Sequence, residues 1–284
     1  GALLALSKPP GLPVLGECRT LSLTLLLPAL RRRLGLPAEL HVVKAPAREC
    51  SGLVLLSSCH RTTEQLQRFF TDARRRGQYP ATYCAVTVGV PAEEEGEVCA
   101  GLCWQHQGDT AVVRGYQGVA GGTREFPRWV LRAVVLQVVP VLDPGRRSLA
   151  KKEVKRTLTR YRVLGAAGGC GLLQLQPKTA FPEQLLVHLM LLLCPALGDH
   201  KHSSRVGRVL GVPFLLPPEA AKTSTQVCGG RGGWLSMAPR APAELLPSTP
   251  LQVLDEELLH RLGLSLKQLH RLPLHLHLQH LVLP

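Results

Sequence analysis

Apolar residues recur with a helical period between residues 62 and 76. The stripe consists of Leu66, Phe69, Phe70 and Ala73, at i, i+3, i+4 and i+7. This spacing places all four side chains on one face of an α-helix. Thr62 and Gln65 have the spacing of a capping box, and Gly77 is suited to end the helix. The pattern therefore predicts a helix over residues 62–76.

Several shorter segments have the pattern of β-strands. Residues 52–57 are continuously apolar, as expected for a strand covered on both faces. The other predicted strands are residues 83–88, 161–164, 172–176 and 272–278. A glycine-rich turn, residues 165–171, joins two of them, and a second helix is predicted over residues 182–193, with Pro182 near its first turn. Because hairpin-like spacing dominates, we expect an α+β fold with a mostly antiparallel central sheet.

The C-terminal strand alternates strictly between leucine and other residues. Leu272, Leu274, Leu276 and Leu278 share one face. Pro273 favours a place at the edge of the sheet, because proline cannot donate a ladder hydrogen bond. His275, His277 and His280 have no carboxylate or cysteine nearby in the sequence. The sequence therefore predicts half-exposed strand histidines and no metal site.

Two segments interrupt the pattern of strands and helices. Residues 115–137 contain a Gly-Gly pair and show no clear periodicity, and residues 228–250 are rich in Gly, Pro and Arg. We interpret both as insertions or flexible loops within a single domain spanning residues 1–284. Protection of their amides from hydrogen exchange would contradict this interpretation.

The chain is strongly basic. Its 284 residues include 34 Lys and Arg against 20 Asp and Glu, a net charge of +14. This excess favours a nucleic acid as partner, because phosphate contacts dominate nucleic-acid affinity; solubility alone is the alternative. No segment reaches the roughly 18 apolar residues that a membrane helix needs. The first residues lack the basic region of a signal peptide, so we expect any targeting segment to lie upstream.

Six segments, in a fixed order, carry a family resemblance. They are Lys8-Pro-Pro-Gly-Leu-Pro-Val14; Ser51-Gly-Leu-Val-Leu-Leu56; Tyr83-Cys-Ala-Val86; Tyr161-Arg-Val-Leu164 with Leu173-Gln-Leu-Gln176, Thr179, Gln184 and His188; Pro195-Ala-Leu-Gly-Asp199; and Arg271-Leu-Pro-Leu-His275. Together they resemble the motifs of the RluA-type pseudouridine synthases, over nearly the whole chain outside the two inserts. Residues 42–44 and 51–58 are most similar to the vertebrate mitochondrial mRNA pseudouridine synthase branch.

The resemblance implies a fold and a reaction. Members of this family have a pseudouridine synthase fold, in which an RNA-binding cleft splits the central sheet. They detach uracil from C1′ of the ribose, rotate it and rejoin it through carbon, without a cofactor. The target nucleotide must leave the base stack to reach such a pocket. The resemblance also implies mitochondrial mRNA or rRNA as partner, a location in the mitochondrial matrix, and mitochondrial RNA-granule proteins as candidate partners.

The chain departs from the family at the position of the essential aspartate. Where members read Arg-Leu-Asp-x-x-Thr-Ser-Gly-Leu, this chain has Ala45 to Leu53 with Ala47 in place of the aspartate. A slip in the comparison does not explain the difference, because no aspartate precedes Asp72. The arginine that pairs with the aspartate in the family corresponds here to Phe181. The tyrosine that stacks on uracil is retained as Tyr83, so Tyr83 and Phe181 are the predicted contacts of the base.

Other residues are candidates for chemistry or for RNA contact. Glu49 and Asp199 are carboxylates that could replace the missing aspartate; otherwise Glu49 is a solvated loop residue and Asp199 caps a turn. Arg74, Arg75 and Arg76 could contact phosphate, or could simply be solvated at the end of the helix.

Three hypotheses follow for function. The first is a pseudouridine synthase acting on mitochondrial RNA. The second is a catalytically silent RNA-binding protein that uses a basic cleft and Tyr83. The third is a scaffold in mitochondrial RNA metabolism or ribosome assembly that retains the fold only as a platform.

Overall fold

The computed structural model describes residues 3–16, 21–78, 80–106, 111–112, 132–133, 136–141, 154–216, 254, 256–269 and 271–284. Its strands are β1 (Leu3–Lys8), β2 (His41–Lys44), β3 (Ser51–Ser57), β4 (Ala81–Val88), β5 (Glu95–His106), β6 (Ala111–Val112), β7 (Arg132–Ala133), β8 (Leu136–Val141), β9 (Lys155–Ala167), β10 (Cys170–Pro177), β11 (Val206–Val209), β12 (Val212–Leu215) and β13 (Leu276–Leu281). Its helices are α1 (Leu23–Arg33), α2 (His60–Arg75), α3 (Gln184–Leu191), α4 (Glu256–Arg261) and α5 (Leu266–Leu269), with a short 3₁₀ turn at Ser203–Arg205.

One large sheet dominates the described part of the chain. Its strand order is β1-β3-β13-β4-β10-β9-β5-β8, with β2 also paired to β3. All of these pairs are antiparallel except β3 with β13. The expected α+β fold with a mostly antiparallel central sheet is therefore confirmed. The strand pairs β11–β12 and β6–β7 form separate two-stranded sheets.

Helix α2 confirms the predicted apolar stripe. Leu66 and Phe70 are buried and pack against Val43 and Leu278 of the sheet. The predicted capping box is wrong, because the helix begins two residues before Thr62 and its N-cap residue forms no side-chain capping bond. Instead, the hydroxyl of Thr63 donates to a main-chain carbonyl of the preceding turn at 3.0 Å.

The C-terminal strand β13 lies inside the sheet, between β3 and β4, so its predicted place at the edge is wrong. Pro273 does not interfere because it precedes the strand, which begins at Leu276. The alternation is confirmed, since Leu276 and Leu278 are buried whereas His277 is exposed. Strand β13 is thus buried on one face and paired along both edges, so it is an interior strand of the large sheet.

The second half of the sheet is built on the hairpin of β9 and β10. The turn is shorter than predicted and consists of Gly168 and Gly169, which both have positive φ angles. Helix α3 is shorter than residues 182–193, and Pro182 lies near its first turn as predicted, two residues before the helix begins. Buried hydrogen bonds tie α3 to β9: His188 pairs with Thr157 at 2.9 Å.

The two predicted insertions lie largely outside the described residues. Of residues 115–137, the structure describes only 132–133 and 136–137, which belong to β7 and β8; residues 228–250 all lie outside. In the described ranges, no helix is long and apolar enough to cross a membrane.

Candidate functional site

A pocket of about 500 Å³ opens at the centre of the sheet, where β4, β10 and β13 come together. One side is the loop between β2 and β3, residues 44–50, which we call the loop wall. A second side is the connection from β10 into α3, residues 177–186, which we call the helix wall. Tyr83, Leu276 and the turn at residues 198–201 complete the lining. The volume is in the range of pockets that hold small ligands.

The loop wall is held in place by a buried lysine. Lys8, at the end of β1, is only 1% exposed. Its ammonium group donates to the carbonyl oxygens of Pro9, Leu12 and Arg48, at 3.0, 2.9 and 3.0 Å. Burial lowers the pKa of Lys8, and this effect is larger than the opposing effect of the nearby Cys50 and Glu49. These three bonds join the Pro/Gly turn after β1 to the middle of the loop wall.

Further hydrogen bonds of Arg48 hold the same turn against the loop wall. Gly11 donates its N–H to the carbonyl of Arg48 at 2.8 Å, and the Nε of Arg48 donates back to the carbonyl of Gly11 at 3.3 Å. The N–H of Cys50 donates to the carbonyl of Ala47 at 3.2 Å. The loop is thereby folded so that Ala47 and Glu49 are exposed and both line the pocket.

Cys50 contributes a thiol to the pocket lining. Burial raises its pKa to about 12, and the negative charge of Glu49 adds to the effect. A thiol with such a pKa stays protonated at neutral pH and is a poor nucleophile.

The helix wall contains Phe181, the residue that the resemblance matches to the arginine of the family. Its half-buried ring packs against a small apolar cluster that β5 and α3 form. The cluster consists of Ala100, Leu102, Val187 and Met190. Phe181 also lines the pocket, so its ring forms part of both the core and the cavity wall.

Glu183, also on the helix wall, was not predicted from the sequence. Its φ angle is +56°, a left-handed conformation that non-glycine residues seldom adopt. Its carboxylate accepts hydrogen bonds from the Nζ of Lys201 and, at 3.0 Å, from the buried Nε2 of His202. Burial raises the pKa of Glu183, but these hydrogen bonds and the electrostatic interactions with Lys201 and His202 outweigh burial and lower it to about 2. Glu183 is therefore an anion at neutral pH, and it holds Lys201 at the pocket.

Asp199 lies in a tight turn that approaches the sheet closely. It is 3% exposed, and its Oδ1 accepts the backbone N–H groups of Lys201 and His202, both at 3.0 Å. Its Oδ2 is buried and has no hydrogen-bond partner among the described residues. The preceding Gly198 has a φ of +81°, and a Cβ there would lie 2.1 Å from the carbonyl oxygen of Pro273. The geometry of Asp199 is that of a turn cap.

Tyr83 lies on β4, opposite Leu175 of β10 and Leu278 of β13. Its half-buried side chain packs against the two core clusters on either side of β4 and also lines the pocket. The ring of Tyr83 is thus fixed on both flanks while one part of it faces the cavity.

The pocket brings together most of the candidates taken from the sequence. Those that line it are Ala47, Glu49, Arg74, Tyr83, Phe181 and Asp199. Arg75 and Arg76 do not line it: Arg75 pairs with Asp72 at 3.5 Å, and Arg76 ends helix α2. Lys44, Arg74 and Lys201 supply positive charge to the lining, alongside the carboxylates of Glu49, Glu183 and Asp199.

Lys8 and Glu183 are the positioning residues that the sequence did not reveal. Lysine is almost never fully buried, and nothing local to Lys8 distinguishes it from a surface lysine. The partners of Glu183 are 18 and 19 residues away along the chain. Within the described ranges, no group of three or more His, Cys, Asp or Glu side chains is arranged to hold a metal ion.

Comparisons with known proteins place the chain in a family. No model of a known protein family matches it. It is 42% identical to the mitochondrial mRNA pseudouridine synthase of Mus musculus and 44% identical to that of Bos taurus, in each case over the whole chain and 68% of the relative. The solved structure of human RNA pseudouridylate synthase domain containing 4 matches 99% of the chain and 81% of that protein, with a TM-score of 0.61 and 27% identity. The chain therefore belongs to the RluA-type pseudouridine synthase family, in the branch that includes the mitochondrial mRNA pseudouridine synthases.

Proposed function

We propose that this protein binds RNA in mitochondria and receives an everted uridine in the central pocket, without the aspartate that its family uses for catalysis. The observation that carries the proposal is the joint position of Ala47 and Tyr83 in the lining of one pocket. The pocket supplies an aromatic surface for a base, and the side chain at the aspartate position is a methyl group.

The aromatic lining of the pocket suits a nucleotide, and its three carboxylates are balanced by three cations. Tyr83 and Phe181 offer aromatic surface inside a largely apolar cavity. Stacking of a base on an aromatic side chain contributes about 1–3 kcal/mol. Lys44, Arg74 and Lys201 bring cations to the lining, where phosphate oxygens of the extruded nucleotide would follow the base. The net charge of +14 favours approach of RNA to the whole surface.

The chemistry of the pocket argues against turnover by the family route. A methyl group can neither attack C1′ nor accept a proton, so Ala47 cannot act as the aspartate does. Phe181 at the position of the partner arginine is consistent with this loss. A lone arginine left in a partly buried site would cost about 3–5 kcal/mol. With both residues changed, RNA binding can persist without the isomerisation.

Residual isomerisation through Glu49 is the second candidate function. Glu49 is exposed, lines the pocket and stands two residues from Ala47. Asp199 is a weaker substitute, because Oδ1 already accepts two backbone hydrogen bonds and the side chain is buried.

The names of the similar proteins guide the choice of RNA. Mitochondrial mRNA is the first substrate to test and mitochondrial rRNA the second. A location in the mitochondrial matrix and association with RNA-granule proteins belong to the same proposal. A scaffold that does not touch RNA is the remaining alternative.

Two measurements on the purified protein separate these functions. Tritium release from RNA containing 5-³H-uridine measures isomerisation, and we expect none; release that Glu49→Gln abolishes would establish the second candidate. RNA affinity measured against salt concentration should fall steeply on a log–log plot, because phosphate binding releases counterions.

Substitution of Tyr83 tests the pocket itself. Tyr83→Ala should weaken RNA binding roughly 5- to 100-fold, the equivalent of one lost stacking contact. Tyr83→Phe, which keeps the ring, is the matched control and should bind within about twofold of wild type. Equal RNA affinity of Tyr83→Ala and wild type would contradict the proposal and favour the scaffold.

A further inference from the structure

An exposed tryptophan lies on β5, beside the helix wall. Ala100 and Leu102 of β5 are buried against α3. Trp104 is two residues further along the same face of the strand, and it is 47% exposed. The chain is poor in aromatic residues, at 4%. Trp104 thus offers a large aromatic face to solvent, on which a base can stack.

The ring of Trp104 continues the aromatic surface of the pocket. Its centroid lies 6.0 Å from that of Phe181, with the two planes tilted by 40°. Phe181 in turn lines the pocket. The aromatic surface thus runs from inside the cavity, across Phe181, to the solvent-facing side of Trp104.

A lysine stands at the same rim. Lys155 of β9 is paired with Leu102, so it lies diagonally across from Trp104 on the neighbouring strand. Its Nζ donates to the carbonyl oxygen of Ala180, the residue before Phe181, at 3.0 Å. The residue is exposed to solvent, and its ammonium group has further N–H donors. A cation is therefore held within reach of any phosphate that enters beside the aromatic surface.

We propose that Trp104 stacks on the base of the nucleotide next to the everted uridine, and that Lys155 contacts a phosphate of that nucleotide. The inference rests on the proposed function, since it extends the same RNA strand out of the pocket. An aromatic face beside a cation is the arrangement that binds single-stranded RNA without strong sequence preference. Together, Tyr83 and Trp104 provide stacking surface for two successive bases.

The test uses the full chain and short single-stranded RNAs with one uridine. Trp104→Ala should weaken binding roughly 5- to 100-fold, and Trp104→Phe should restore most of the affinity. Leu164→Ala is the matched control, because Leu164 is similarly exposed, at 48%, near the opposite end of β9. An abasic site should be placed on either side of the uridine in turn. At one of the two positions, the effect of Trp104→Ala should disappear, because the base it would stack on is absent.

Fluorescence gives a second readout that a purely structural role would not produce. The chain has three tryptophans, so replacing Trp129 and Trp234 with phenylalanine leaves Trp104 as the only one. Its emission should be quenched by the intact RNA and less so by the critical abasic RNA. If Trp104→Ala binds RNA with wild-type affinity and RNA does not quench the emission of Trp104, this inference is overturned. In that case Tyr83→Ala should still weaken binding, and the proposed function stands. Failure of the wild-type protein to bind RNA would overturn the proposed function and this inference together.

Discussion

The two walls of the pocket are held by different kinds of contact. The loop wall depends on polar main-chain contacts, chiefly the three carbonyl oxygens that accept from Lys8. The helix wall depends on apolar packing of Phe181 and on side-chain bonds to Glu183. The loop wall carries Ala47, which the resemblance matches to the aspartate of the family, and the helix wall carries Phe181, which it matches to the arginine. On the loop wall, the contacts that hold the backbone come from Lys8 and Gly11, so the side chain at position 47 can be changed without them. On the helix wall, Phe181 contributes both to the packing and to the pocket lining.

The largest expected effect comes from restoring the chemistry on both walls at once. The double variant Ala47→Asp with Phe181→Arg returns the family pair to the pocket. We expect pseudouridine formation at least roughly 100-fold above the background that the wild-type protein gives in the same assay, the contribution of one positioned carboxylate. Ala47→Asp alone should do less, since its charge would lack a partner.

Tritium release from 5-³H-uridine RNA measures this gain, and circular dichroism checks that the Phe181→Arg change has not disrupted the packing of β5 on α3. A folded double variant that binds RNA but releases no tritium would contradict the expectation that the rest of the pocket still supports the reaction.

A smaller effect, on stability, comes from breaking the loop wall. Lys8→Met keeps the length of the side chain but removes the donor to the carbonyl oxygens of Pro9 and Leu12, whereas that of Arg48 still accepts from Gly11. We expect the free energy of unfolding to fall by about 2–6 kcal/mol, at about 1–3 kcal/mol for each of the two unsatisfied groups. Urea denaturation measures it. Lys267→Met on α5, where the lysine is exposed, is the control and should change stability by less than about 0.5 kcal/mol. Equal losses in both variants would mean that Lys8 does not hold the loop.

The smallest effect is the pH dependence of the helix wall. The pKa of Glu183 is lowered from 4.5 to about 2, so its contribution is present above pH 4.5 and is lost as pH falls towards 2. For wild type, this loss should amount to roughly 2–3 kcal/mol. Glu183→Gln should lack that part of the acid sensitivity, whereas Glu256→Gln on α4 should retain it. The measurement is the free energy of unfolding between pH 6 and pH 2. Identical pH profiles for Glu183→Gln and wild type would contradict the ion pairing described here.

The sequence predicted the elements whose signal is local. The stripe through Leu66 and Phe70 and the alternation up to Leu278 each reflect one buried face, and both are confirmed. It failed where the outcome depends on distant partners. Pro273 suggested an edge strand, but β13 starts beyond it and inserts between two strands from the first third of the chain.

The same limit applies to the pocket. Ala47, Tyr83 and Phe181 were located by resemblance of short motifs, and the structure brings them into one lining. Lys8 and Glu183 were missed, because a lysine that donates to three carbonyls looks like any surface lysine in the sequence. The partners of Glu183 lie in a turn that comes close to it only in the folded chain.

The position of β13 has a consequence for biosynthesis. Strands β3 and β4 are separated by β13 and are not direct neighbours, although they come early in the sequence and β13 comes much later. Until β13 has been synthesised, β3 and β4 each have an edge without its partner strand. Such edges pair readily with foreign strands, and slow pairing of distant segments leaves them exposed for longer. In the nascent chain these edges should therefore be open to wrong pairing until β13 has emerged from the ribosome.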